Sequence, residues 1–245
     1  MTGTFINVAA ILIGGTLGVF LGGKLPERLR QTVMSGMGLF VLAIGVEMFL
    51  DTQNSLVVLG SLVFGILLGE WWKIEEGIRW VGRWLEQKVM PRNGSGTVDH
   101  AARQERFVRG FFTASLLFCV GPIAILGSIQ DGLTGNYQLL AVKSVLDGFA
   151  ALAFASTLGV GVLFSALPIL FYQGAIALAA AQLQRAVSEP MMNEMTATGG
   201  VILIAIAVNS LLEMKQIRTG SFLPALLVAP LLVALLTALG VNWAF

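Results

Sequence analysis

The chain is predicted to fold as an all-α, polytopic membrane helix bundle of about eight spans. Three observations carry that expectation. Of 245 residues, 56% are hydrophobic and only 12% charged, about half the charged share of a soluble domain. Apolar runs of about 20 residues recur along the chain and match a bilayer core about 30 Å thick. One threading of those runs puts all but two of the 15 basic residues, Lys143 and Arg185, on a single side.

The spans are read at residues 4–22, 32–50, 55–72, 107–127, 138–158, 161–181, 198–212 and 222–241. The first joint carries Lys24, Arg28 and Arg30, the third carries the run from Lys73 to Arg109, and the seventh carries Lys215 and Arg218. The joints between hold no basic residue except Arg185. The positive-inside rule then places these three joints in the cytoplasm and both termini outside it. The first segment lacks a basic n-region and a small-residue cleavage site, so it reads as a retained span.

Residues 73–106 form a long cytoplasmic loop with an amphipathic interfacial helix. Trp72, Ile74, Ile78, Trp80, Val81, Trp84, Leu85 and Val89 recur at mostly helical spacing, with Arg79, Arg83, Glu86 and Lys88 between them. Such a helix lies at headgroup level, and a plain solvated connector is the simpler alternative. Pro91 ends it, Asn93-Gly94-Ser95-Gly96 makes a turn, and His100 sits in the loop.

Gly14, Gly18 and Gly22 repeat every four residues in the first span, as do Gly65 and Gly69 in the third. Small residues let helix backbones approach closely in lipid. The same faces could instead line a path or assemble a homo-oligomer. Residues 36–47 resemble residues 198–209, each with a polar residue, Glu47 or Asn209, nine positions after a glycine. This pairs 1–72 with 161–245 as halves of one membrane domain. The threading runs them in opposite directions, so they would form an inverted repeat of the transporter kind.

Charges within spans are costly and mark function by default. Lys143 and Asp147 lie four residues apart on one helix face and can pair. They are either a helix-orienting ion pair or a cation- or proton-binding carboxylate with a competing lysine. Gly121 and Pro122 should break the fourth span, because proline removes a donor and clashes with the preceding turn. Ser128, Gln130 and Asp131 follow just beyond. Gln173, with Pro168 five residues before it to open the helix, and Asn7, Glu47 and Asn209 complete the candidate pathway for a substrate or ion. Glu47 and Glu70 lie near span ends, where they can reach headgroups, and each is a weak candidate alone. Against each stands the plainer role of joining helices.

Other chemistries lack support. The net charge of +1 offers no field for nucleic acid. Cys119 is the only cysteine and His100 the only histidine, so no disulfide, histidine metal site or activated thiol is expected. No HExxH, GxSxG, P-loop or Rossmann glycine pattern occurs. The chain is therefore read as no enzyme, with no cofactor and with lipid and a small solute or ion as partners.

Several stretches resemble an uncharacterised family of bacterial inner-membrane proteins whose members are called YdfK or YqgA. They are residues 2–7, Cys119-Val120-Gly121-Pro122 through Asp131-Gly132-Leu133, Lys143 through Gly148, Tyr172-Gln173-Gly174 and Phe222-Leu223-Pro224-Ala225. The resemblance runs through nearly all of the chain. It implies a multi-pass protein of the bacterial cytoplasmic membrane, often described as a transporter, and supplies no substrate or site residues. A secondary transporter for a small solute, driven by an ion gradient, is the leading expectation. A channel and a membrane scaffold or accessory subunit are the alternatives.

Overall fold

In the computed structural model, which describes residues 1–89 and 97–241 and the side chains of 1–89 and 102–241, every regular element among those residues is helical. The helices are α1 (Thr2–Gly22), α2 (Glu27–Phe49), α3 (Ser55–Trp71), α4 (Ile74–Val89), α5 (Thr97–Cys119), α6 (Pro122–Thr134), α7 (Gln138–Leu158), α8 (Ala166–Leu178), α9 (Ala180–Ala186), α10 (Glu189–Ile206) and α11 (Ala225–Ala238). A 3-10 turn over Val160–Ser165 leads into α8, and a π turn over Ala207–Leu211 ends α10. Among the described residues, six helical segments are long and apolar enough to cross a membrane. The count rises to eight if the bent pairs Ser55–Trp71 with Ile74–Val89 (56°) and Ala102–Cys119 with Pro122–Thr134 (65°) each form one span. The protein is a polytopic membrane protein.

Several expectations change in detail. The second span starts earlier, at Glu27, because Arg28 and Arg30 sit on its first turns. The amphipathic stretch is helix α4, separated from α3 by Lys73 in a left-handed conformation (φ 52°). The second part of the expected 73–106 loop is helix, since α5 begins at Thr97, and His100 lies on that helix rather than in a loop. The Pro91 stop and the turn at residues 93–96 fall outside the described residues. Pro168 sits in the first turn of α8. There its missing N–H breaks no helical hydrogen bond, so it does not open the helix near Gln173.

The chain packs as two units, each described by itself. The first holds residues 1–37, 77–119 and 123–180, and the second holds 38–76, 120–122 and 181–245. These units cut across the sequence halves 1–72 and 161–245.

In the first unit α1 lies directly on α7. A Cβ on Gly14, Gly18 or Gly22 would stand 2.1, 2.3 or 2.2 Å from the carbonyl oxygens of Gly148, Leu152 and Ser156. These contacts advance together along both helices, so α1 and α7 run parallel. The glycines face inward while Phe5, Ile13, Leu17 and Phe20 are exposed, as a lipid-facing surface requires.

The α5–α6 pair runs alongside in the opposite sense. Gly110 of α5 lies against Leu158, near the α1 end marked by Gly22, and Asp131 of α6 reaches Met1 and Gly3. The bent pair therefore traverses the full length of α1. A re-entrant fourth span would have left α7 antiparallel to α1. Gly132 against the Ala177 carbonyl and Gly161 against that of Phe107 align α8 parallel to α5–α6. These directions are those that alternate crossing demands.

The second unit uses the same close contacts. A Cβ on Gly65 or Gly69 would meet Ala225 Cα at 2.5 Å or the Ser221 carbonyl oxygen at 2.0 Å. Partner numbers fall as α3 advances, so α3 and α11 are antiparallel. Gly38 against Leu212 and Gly45 against the Gly200 carbonyl set α2 antiparallel to α10.

Candidate functional site

On α7, Lys143, Ser144, Asp147 and Ala151 are buried, while Val142, Val145, Leu146 and Phe149 are exposed. Four-residue spacing puts lysine and carboxylate on the buried face. Lys143 Nζ donates to Asp147 Oδ2 and forms an ion pair with it. Only 9% and 11% of the two side chains remain accessible. Asn7 of α1 adds a third member, its Nδ2 donating to the same oxygen at 3.0 Å. Pairing cancels the net charge, which lets both groups occupy an apolar bundle.

The helix break stands between α5 and α6. Gly121 takes φ +135°, which an L side chain rarely adopts, and Pro122 opens α6. Proline suits that first helical position because the N–H there has no partner to lose. Cys119 ends α5 and Tyr172 lies on α8, both in this first unit. Side chains from α1 and α7 meet at the pair.

The same unit buries polar atoms with no hydrogen-bond partner. Among the described side chains of this unit these are Thr4 Oγ1, Asn7 Oδ1, Thr113 Oγ1, Asp131 Oδ1 and both amide atoms of Gln173. Gln173 is 0% exposed. An orphaned buried polar group costs about 1–3 kcal/mol. Water or a polar solute would relieve that cost.

The other candidates have plainer placements. Asp131 closes the start of α1: its Oδ2 accepts from Gly3 N at 2.9 Å and pairs with the Met1 amino group at 3.1 Å. Ser128 is buried and donates to the Ala124 carbonyl one turn back, and Gln130 is exposed. Asn209 and Glu47 belong to the second unit. The Asn209 Oδ1 accepts from Ile217 N at 3.2 Å, holding the chain that follows the π turn, and Glu47 is exposed. Glu70 accepts from Ser221 Oγ at 2.7 Å and from Arg218 at 2.9 Å. Among the described residues, no three His, Cys, Asp or Glu side chains converge on a metal-sized site.

Glu194 is the most deeply buried of the described acids that lie outside the expected spans. It is 0% exposed, yet it precedes the expected start of the seventh span. Its Oε1 accepts from Gln53 N (2.7 Å) and Asn54 N (3.1 Å), and its Oε2 accepts from Thr52 Oγ1 (2.8 Å). It therefore ties down the turn that enters α3, whose own N-cap is Asn54, accepting from Leu56 N at 2.9 Å. A carboxylate there satisfies free N–H groups and lies near the positive end of the helix dipole. Glu194→Ala should cost about 2 kcal/mol, because it leaves N–H donors of that turn unpaired. A thermal unfolding curve of the detergent-solubilised variant checks this, and an unchanged midpoint would show that Glu194 does not hold the turn.

Comparison with known proteins adds kinship without chemistry. Residues 2–234 match the family described as "Protein of unknown function (DUF554)". The chain is similar to "Uncharacterized protein YqgA" of Escherichia coli (strain K12), at 32% identity over 239 residues, covering 96% of this chain and 97% of that one. It is also similar to "Uncharacterized membrane protein YdfK" of Bacillus subtilis (strain 168), at 29% identity over 247 residues, covering 99% of this chain and 100% of that one. No solved structure matches it. A family match over almost the whole length makes this chain a member of the DUF554 family.

Proposed function

We propose that the protein is a secondary transporter that carries a small solute across the bacterial cytoplasmic membrane, with both termini outside the cytoplasm and no enzymatic activity. The observation that carries this reading is the buried Lys143–Asp147–Asn7 cluster in a unit that also buries the unpartnered amide of Gln173. A fixed structural ion pair does not account for the orphaned polar groups buried in the same unit. A pathway does, because cargo satisfies them only in transit. Asp147 is the exchanging group: a proton or cation arriving at its carboxylate releases Lys143, and the amides of Asn7 and Gln173 offer donors and acceptors to an uncharged or zwitterionic solute. Ion coupling is the energy source, since the sequence holds no nucleotide-binding motif. The basic joints orient the chain by the positive-inside rule. A pore assembled through the glycine faces has less support, because Gly14, Gly18, Gly22, Gly65 and Gly69 are taken up by contacts within the chain.

The test is current recording from reconstituted proteoliposomes on a solid support, under a pH gradient, against a panel of amino acids, dicarboxylates and sugars. The wild type should give saturable transient currents with at least one class. Asp147→Asn should insert normally and give none. Wild-type currents from that variant would remove Asp147 from the mechanism, and ohmic single-channel currents from the wild type would replace the carrier with a pore.

A further inference from the structure

We propose that an arginine-lined cleft in the first unit is a binding site for a phosphate-type oxyanion. The cleft has a volume of about 340 Å³ and is bordered by Arg30, Arg103 and Arg106 together with backbone at Gly22, Ser156 and Gly159. Among the described residues, no acidic side chain lines it. It lies where α1 and α7 end, and those ends explain how the arginines are held. Arg30 Nε donates to the Gly22 carbonyl at 3.1 Å, and Arg106 Nη2 donates to the Thr157 carbonyl. Each guanidinium donates one N–H to a helix-end carbonyl and keeps other donors available. Arg30 also meets Glu27 at 3.3 Å, but that carboxylate is 70% exposed and offsets it only in part. Arg103 is exposed and makes no ion pair among the described residues.

Like charges gather at this cleft. Arg106 is half-buried and feels both the Arg30 guanidinium and the Glu27 carboxylate, which leaves a net positive charge around the cleft. Guanidiniums held close together in a partly desolvated recess repel unless an anion sits between them. Planar guanidinium forks match tetrahedral oxyanions by paired N–H···O bonds, better than point-charge ammoniums do. Glycines at positions 23 and 159, where a Cβ would meet nothing closer than 3.7 Å, keep the floor of the cleft low, so oxygens can approach backbone. The cleft borders the ends of membrane-length helices, the depth at which lipid phosphates lie. A phosphate ester thus reaches it either as an anionic lipid headgroup or as a soluble phosphorylated anion. The site does not depend on the transporter reading.

The test uses the full chain in a neutral detergent. Native mass spectrometry compares retention of phosphatidylglycerol with that of phosphatidylcholine, and calorimetry titrates inorganic phosphate. The wild type should retain phosphatidylglycerol preferentially, bind phosphate saturably, or both. Arg103→Gln, which removes no ion pair among the described residues, and Arg30→Gln should each weaken that binding about tenfold. Arg83→Gln, an exposed arginine outside the cleft, should leave it unchanged. Lipid preference that phosphate displaces supports a shared site, and lipid preference without phosphate binding assigns the headgroup. Phosphate binding without lipid preference assigns a soluble source. If the wild type shows neither, or if both cleft variants bind as it does, the proposal is overturned.

Discussion

Asp147→Leu should destabilise the protein by about 3–5 kcal/mol, whereas Lys143→Met combined with Asp147→Leu should cost little or nothing. The asymmetry follows from what each change leaves behind. Removing the carboxylate strands the Lys143 ammonium among buried side chains on a helix face packed on α1, with no second acid in its ion pair. It also frees the Asn7 amide, whose oxygen already has no partner. Removing both charges leaves apolar side chains of similar volume in an apolar bundle. Thermal unfolding in detergent of the wild type, both single variants and the double variant closes the cycle. Additive single-variant losses would show that the two charges do not depend on each other. The same set separates stability from transport: the double variant should be as stable as the wild type and carry no solute. If it carried solute at the wild-type rate, the pair would be a structural device alone.

Legibility in the sequence differs with the range of the contact. Lys143 and Asp147 are legible because four-residue spacing on a helix is a local fact. Asn7 is legible as a polar residue in an apolar segment, but its partner lies 140 positions away. That pairing depends on how the glycines of α1 seat on α7, and periodicity shows a small-residue face without naming what covers it. Gly121-Pro122 is readable as a break because its chemistry is backbone chemistry. Asp131 reads as a pathway group, since an acid at the end of a span looks the same whether it meets cargo or caps a neighbouring helix. Glu194 escapes sequence reading for a related reason. Glu189, Asn193 and Glu194 lower local hydropathy, so the seventh span reads as starting at residue 198, although α10 begins at Glu189. Hydropathy records what a side chain loses on leaving water and is blind to the three hydrogen bonds that repay Glu194.

Gly14→Val should be the most damaging single change in the first unit, costing more than the about 1–3 kcal/mol of ordinary overpacking. The obstacle is backbone. A Cβ at position 14 would lie 2.1 Å from the Gly148 carbonyl oxygen and 3.2 Å from its Cα. A side chain in the way could turn to another rotamer, but a carbonyl within α7 moves only if the helix moves. Any separation of α1 from α7 at Gly14 spreads to Gly18 and Gly22, whose contacts with Leu152 and Ser156 are equally close. It also pulls Asn7 from Asp147 and loosens Gly3 from Asp131, coupling packing to the buried charges. Gly36→Val and Gly77→Val are the matched controls. Both positions are helical, and at neither would a Cβ meet an atom of another element within 4 Å. Each should therefore change stability by about 1 kcal/mol or less, with helix propensity favouring the valine. The expected result is loss of monodisperse protein, or a sharply lowered unfolding midpoint, for Gly14→Val alone. Equal behaviour of all three variants would mean that α1 and α7 are not in backbone contact at Gly14.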